Sequence, residues 1–249
     1  MITIKSDSEI AIMREAGRIS ALALQKAGEA VRPGVSTYEL DQIAKDVILS
    51  NNATPAFLGY CGFPGTICAS VNNVIVHGFP SKDVILKEGD IISIDTGAIY
   101  NGFVGDNANT FGAGKISEEA QRLIDVTKAS FFAGLEYCKT TNRLYDISHA
   151  IQLRAESAGY GVVREYVGHG VGRSLHEDPQ VPNYGDPGRG VRLRKGMVIA
   201  IEPMINEGTY ETILMPDGWT VKTADGKLSA HYENTVAITD GEPMILTMV

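Results

Sequence analysis

Apolar residues recur at helical spacing through the first fifty positions, and then the period changes. Ile10, Met13, Ala16, Ile19, Leu22 and Leu24 advance in rough steps of three and four, the mark of an amphipathic helix. Ser6 with Glu9 three residues later reads as a capping box, and Pro33-Gly34 closes the element. A second box, Ser36 with Glu39, opens another helix to about Ser50, where Asn51-Asn52 stops it. Residues 53–90 shorten to glycine-rich, β-branched runs (GYCGFPGTICASVNNVIVHGFP) that suit short strands and tight turns. Helical spacing returns over about Ser117–Cys138 and Arg143–Ala158. Residues 160–196 are glycine-rich again, and Met197–Asn206 and Leu228–Thr239 read as two closing strands.

Between these halves lies IISIDTGAIYNGFVGDNANTF, from Ile91 to Phe111. Asn101-Gly102 is a two-residue turn signal, because a type I′ turn needs positive φ at both central positions. The hairpin it predicts pairs Tyr100 with Phe103, Gly97 with Asp106 and Asp95 with Ala108. Asp95 and Asp106 then lie diagonally on one face, up to roughly 7–8 Å apart. That spacing is too long for a hydrogen bond and suits two carboxylates gripping a metal between them.

The order of helix, helix and acid-bearing strands occurs twice. Leu86–Asp95 (LKEGDIISID) aligns without gaps to Leu193–Glu202 (LRKGMVIAIE), so Asp95 matches Glu202. Asp106-Asn107 has its counterpart in Glu233-Asn234, and His77-Gly-Phe-Pro80 in His176-Glu-Asp-Pro179. The same order in both halves points to an internal duplication, with halves at roughly 1–115 and 116–249 in a single catalytic domain spanning 1–249. Halves packed about a twofold axis would converge four carboxylates. Each would resist ionisation unless cations compensate them, so the repeat itself argues for metal.

Composition narrows the setting. The net charge of −8 argues against a primary role on nucleic acid, and no nucleic-acid motif is present. No apolar run reaches the length of about eighteen residues that a membrane span needs, and the N-terminus carries charges where a signal peptide needs an apolar stretch. Cys61, Cys68 and Cys138 have no CxxC spacing and read as free thiols in a reducing compartment. A cytoplasmic enzyme is the expectation, and nothing demands more than a monomer.

The candidate ligands are Asp95, Asp106, Glu202, Glu233 and one histidine. His169 sits in YVGHGVG with glycines on both sides, which let backbone approach a site closely. Oxygen donors with one imidazole suit Mn²⁺, Fe²⁺, Co²⁺ or Zn²⁺, and the lack of thiolate disfavours a structural zinc site. Two bridging carboxylates would hold two divalent metal ions, which lower the pKa of a bound water and polarise a carbonyl. His77 and His176 remain outside the ligand set, placed to donate to a tetrahedral oxyanion. Glu202 could carry the proton from water to the leaving amine. His149 falls on a helix and reads as structural. His231 does too, though it is close enough in sequence to Glu233 to stand one step behind the ligands.

Five stretches, SVNNVIVHG, IDTGAIYNGFVGD, YVGHGVGRSLHEDP, IAIEPM and SAHYENT, together resemble the motifs of the type I methionine aminopeptidases in their short bacterial form. The resemblance covers nearly the whole chain. It implies an α+β "pita-bread" fold, with two pseudo-symmetric halves and a curved antiparallel sheet covered by helices. It implies a dinuclear centre at Asp95, Asp106, His169, Glu202 and Glu233. Asp106 and Glu233 would bridge, Asp95 would hold one metal, and His169 and Glu202 the other. His77 and His176 would contact substrate and stabilise the intermediate. Tyr60, Phe63, Cys68, Leu175 and Trp219 would line the methionine pocket, where soft aromatic walls suit a thioether. The implied activity removes the initiator methionine from nascent polypeptide N-termini whose second residue is small, with the ribosome as the expected setting.

Two departures mark the pocket: Cys61 stands where the family usually has asparagine or histidine, and Leu175 where relatives often carry an aromatic. The chain shows no zinc-binding or proline-rich N-terminal extension, and the insertion of the type II enzymes has no room between Glu202 and Glu233. Two other readings compete. One is a hydrolase of the same fold that cuts X-Pro bonds. The other is a non-catalytic peptide-binding relative, which is expected to have lost ligands that are all present here.

Overall fold

Both N-terminal capping boxes form in the computed structural model, which describes residues 1–249. Ser6 caps helix α1 (Asp7–Glu29), and Ser36 caps helix α2 (Thr37–Ser50). In the second box the Glu39 N–H donates to Ser36 Oγ (3.2 Å) while the Ser36 N–H donates to the Glu39 carboxylate (2.8 Å). Each such cap is worth about 1 kcal/mol. Helix α3 (Glu118–Leu135) starts at Ser117, and helix α4 (Leu144–Glu156) starts where Asp146 accepts from the Arg143 N–H. Both end two or three residues before the spacing predicts.

The hairpin forms in the register read from the sequence. Tyr100 pairs with Phe103, Gly97 with Asp106 and Asp95 with Ala108. Asn101 and Gly102 both have positive φ, 48° and 78°, as a type I′ turn requires. The hairpin strands, Ile91–Tyr100 and Phe103–Gly112, sit in a nine-stranded sheet. Its order is Thr54–Pro55, Ile91–Tyr100, Phe103–Gly112, Glu233–Ala237, Val198–Ile201, Gly168–Gly170, Glu177–Val181. Ile67–Val71 pairs with Ile91–Tyr100, Met244–Ile245 pairs with Glu233–Ala237, and every pairing is antiparallel. At the middle, Asn107 faces Asn234. To either side the halves correspond: Ser70 faces Ser93 in the first, and His169 faces Ala200 in the second.

The closing strands are broken where each was expected to run through. Val198–Ile201 lies in the large sheet, but Met204–Asn206 joins a small sheet with Ser229–His231 and Gly161–Val162. Glu202-Pro203 is the break, since proline has no N–H for a ladder. Ser229–His231 and Glu233–Ala237 part at Tyr232, whose N–H goes to the Pro203 carbonyl (3.2 Å). Both breaks fall at acids picked out from the sequence.

One helix pair covers each half. Ile19 and Leu40, from α1 and α2, pack on Ile92 and Ile94, and Phe131, Ile147 and Ile151, from α3 and α4, pack on Ile199, Ile201 and Val236. Each fully buried side chain of this size contributes roughly 1.5–3 kcal/mol. α1 lies so close to the hairpin that a Cβ on Gly105 would stand 2.4 Å from the Gly17 backbone. Next to this contact Ser20 Oγ reaches the Thr96 carbonyl (2.6 Å) and the Asn107 side-chain amide (2.8 Å). Gly105→Ala must lift the helix from the sheet and is expected to cost about 1–3 kcal/mol, read as a lower urea midpoint. An unchanged midpoint would mean that the contact is not tight.

Candidate metal centre and its cleft

Two of the acids, Asp106 and Glu202, are held by neighbouring side chains that fix their backbones. The Asp106 N–H donates to Thr235 Oγ1 (3.1 Å), and that hydroxyl donates to the Asp106 carbonyl (2.8 Å). Asn183 donates to the Glu202 carbonyl (3.0 Å) just past the Val198–Ile201 strand. His169 sits on Gly168–Gly170, and a Cβ on either glycine would lie 2.4 Å or less from a backbone oxygen, Ala200 or Asp178. Only glycine allows that approach. The His169 Nδ1 is 2.9 Å from the Gly170 carbonyl. An N–H donated there leaves Nε2 as the free donor atom for a ligand.

The functional atoms then meet. His169 Nε2 is 3.5 Å from Glu202 Oε1 and 3.7 Å from Asp106 Oδ2. Asp106, His169 and Glu233 each offer one ligand atom within 4.8 Å of the others. The same holds for Glu202, His231 and Glu233. Asp95 completes the acidic wall. His231, read from the sequence as structural, has its Nε2 3.5 Å from Glu202 Oε2 and 4.0 Å from Glu233 Oε2. The break at Tyr232 puts His231 and Glu233 in different sheets, so a simple shared strand face did not reveal the approach.

All twelve residues singled out from the sequence line one cleft. His77 follows the Val74–Val76 strand with φ +60°, a left-handed backbone that is uncommon outside glycine. Its ring meets Tyr166 and Trp219 edge-on, at 5.8 and 6.0 Å between centroids. His176 stands across from it, with Nδ1 2.8 Å from the Tyr60 hydroxyl and its ring 4.3 Å from that of His169. Phe63 packs edge-on to Trp219 at 5.2 Å, and Cys68 and Leu175 are buried beside them. Phe57, Tyr166 and Met204 also line the cleft; no spacing in the sequence singled them out. Lys5 is another residue the pattern hid. It is buried and pairs with Glu177 (2.8 Å), which also accepts the Arg173 and Ser174 N–H groups, so it anchors the turn carrying His176.

Residues 11–240 match metallopeptidase family M24. A methionine aminopeptidase of Clostridium acetobutylicum is 58% identical over 248 residues, covering 100% of this chain and 99% of that one. The chain belongs to metallopeptidase family M24, among its methionine aminopeptidases. The crystal structure of methionine aminopeptidase from Thermotoga maritima superposes with a TM-score of 0.98 at 45% identity, over 100% of both chains. The prolidase of Pyrococcus furiosus shares the fold more distantly, with a TM-score of 0.81 at 26% identity, and covers 99% of this chain but 65% of its own. The M24 "pita-bread" fold is therefore the fold of this chain, and the chain is a hydrolase of the metallopeptidase class.

An M24 metallopeptidase implies a divalent cation, and the side chains here fit one. Asp95 Oδ1, Asp106 Oδ1, Glu233 Oε1 and His231 Nε2 are buried with no hydrogen-bond partner, a costly arrangement for polar atoms. Burial, with the neighbouring carboxylates, pushes Asp106 and Glu233 well above the usual carboxylate range. Burial raises Glu202 to about 8 and, with Glu202 adding to it, Asp95 to about 7. The imidazoles go the other way: burial lowers His77 and His169 to about 4 and lowers His176 and His231 as well. Neutral imidazoles beside carboxylates that resist charging unless a cation compensates them are a donor set that fits a divalent ion.

The M24 centre thereby sets a pH dependence for the metal-free protein. Above about pH 4 an unfolded carboxylate gives up its proton, while folded Asp95 and Glu202 keep theirs toward 7 and 8. The folded state binds more protons, so its stability falls as pH rises through that window. The buried histidines oppose this only below about pH 6.5, where the unfolded imidazole charges. In chelator, the melting temperature is expected to fall from pH 6.5 to 8, and added Mn²⁺ or Co²⁺ should raise it more at pH 8 than at 6.5. A flat or rising profile in chelator would contradict this account of the buried acids.

Proposed function

We propose that this chain removes the initiator methionine from nascent polypeptides whose second residue is small. The observation that carries the reading is one cleft in which a buried acid–imidazole cluster adjoins an aromatic pocket, in a chain whose full-length relatives are methionine aminopeptidases. The five ligands would be Asp95, Asp106, His169, Glu202 and Glu233, holding two divalent ions, with Asp106 and Glu233 bridging. Such ions supply Lewis acidity toward water and the scissile carbonyl. The methionine side chain would lie against Tyr60, Phe63, Cys68, Leu175 and Trp219, where the edge-on Phe63–Trp219 pair offers a polarisable wall.

His176 and His77 act on the peptide. Burial keeps both imidazoles neutral, and a neutral ring donates from one nitrogen only. The Tyr60 hydroxyl donating to His176 Nδ1 leaves Nε2–H of that ring to donate to the carbonyl oxygen as it gains charge. Glu202, which gives up its own proton when the ions are bound, would take a proton from the attacking water and pass it to the leaving amine. As a single domain with two equivalent halves, acting as a monomer, the enzyme would meet its substrates where nascent chains emerge, in the cytoplasm and near the ribosome.

The test is hydrolysis of Met-Ala-Ser, Met-Leu-Ser and Ala-Pro-Ser with Mn²⁺ or Co²⁺, then with chelator. Methionine should be released from Met-Ala-Ser alone, and chelator should stop it. Cleavage of Ala-Pro-Ser in preference would overturn the reading in favour of an X-Pro hydrolase. Asp106→Asn should lose bound metal and nearly all turnover, whereas His77→Ala should keep metal and lose rate. Normal metal content and full activity in Asp106→Asn would contradict its bridging role, and metal loss in His77→Ala would contradict a role on substrate.

A further inference from the structure

His231 lies outside the five ligands just named, yet its surroundings match those of His169. The side chain is 2% exposed, and its Nε2 has no hydrogen-bond partner. That atom stands 3.5 Å from Glu202 Oε2 and 4.0 Å from Glu233 Oε2. His169 Nε2 bears the same relation to the other oxygen of Glu202, at 3.5 Å, and to Asp106, at 3.7 Å. Glu202 is thus flanked by two imidazoles, one on each oxygen. Separations of 3.5 and 4.0 Å are too long for hydrogen bonds. They are the separations of donor atoms that share one cation, since bonds of about 2.0–2.2 Å at tetrahedral or wider angles set neighbours roughly 3.3 Å or more apart.

The backbone of His231 is fixed to hold this aim. Its N–H donates to Thr110 Oγ1 and its carbonyl accepts from the same hydroxyl, both at 2.9 Å, while Ser93 Oγ backs Thr110 at 2.8 Å. Across the small sheet His231 pairs with Met204, two residues past Glu202. Hairpin, small sheet and the Pro203 break therefore all converge on one imidazole nitrogen that no protein atom satisfies.

We propose that His231 is a nitrogen donor to a divalent transition-metal ion held with Glu202 and Glu233, so that the centre carries two imidazoles. The inference rests on the metal-centre reading above and adds to it. A site with two nitrogens and several carboxylate oxygens favours imidazole-binding ions such as Co²⁺, Fe²⁺ or Zn²⁺ over Mg²⁺.

The test is proton NMR, in H₂O, of the full chain loaded with Co²⁺, which shifts the exchangeable N–H of each metal-bound imidazole far outside the normal range. The wild type should show two such resonances. His231→Gln, which keeps a hydrogen-bonding side chain of similar reach, should lose one, and His169→Gln should lose the other. His231→Asn provides a second variant if the longer amide disturbs folding, with far-UV circular dichroism as the check. A single shifted resonance in the wild type that survives in His231→Gln would overturn the proposal while leaving the metal centre standing. Calorimetry showing no Co²⁺ binding at all would instead overturn the centre, and this inference with it.

Discussion

Four carboxylates share the wall of one cleft, and three of them, Asp95, Asp106 and Glu233, have an oxygen that is buried and unbonded. In water each would ionise near pH 4. Here burial holds all four above that, with repulsion from neighbouring carboxylates adding to it at Asp95, Asp106 and Glu233; Glu202 lies near 8 and Asp95 near 7. A protein that only needed to fold would not gather these groups, because each unsatisfied buried polar atom costs about 1–3 kcal/mol. A divalent cation held by these residues would resolve the conflict, taking the place of the protons and satisfying the orphaned oxygens. The fold is the frame that keeps this arrangement from relaxing.

That frame works through the sheet's centre. Asn107 faces Asn234, and the acids Asp106 and Glu233 immediately precede them. Each asparagine is tied down by a hydroxyl from outside the strand pair, Ser20 of α1 on one side and Thr247 of the C-terminal tail on the other, both at 2.8 Å. Thr235 and Thr110 hold the backbones of Asp106 and His231 in the same manner. The strands that would otherwise run on are interrupted at Pro203 and Tyr232, so their acids lie at corners between the large and small sheets. The first and last parts of the chain thus both bear on the centre.

Much of this was legible in the residues. The capping boxes at Ser6 and Ser36 and the turn at Asn101-Gly102 are local rules with few alternatives, and all three hold. The register of Asp95 and Asp106 followed from the turn alone. The gapless match of Leu86–Asp95 to Leu193–Glu202 pairs Asp95 with Glu202 from the residues alone. What escaped was set by tertiary contact. The two closing strands read as continuous because apolar alternation carries on past Glu202 and past Tyr232; the switch between sheets leaves no period of its own. His231 looked structural because sequence distance to Glu233 does not reveal the corner that turns its nitrogen toward Glu202. Lys5 reads as an exposed charge near the start of the chain, and only the packed structure brings it to Glu177.

The most direct test counts protons. Titration calorimetry of Mn²⁺ or Co²⁺ into the metal-free protein, repeated in buffers of different ionisation enthalpy, measures how many protons each binding event expels. With the acids held protonated as described, binding near pH 6.5 should release protons, and the number should shrink as pH rises past 8. Binding without proton release at pH 6.5 would mean that the carboxylates are already charged in the metal-free state, and that burial of these acids is not what makes the centre demand a cation.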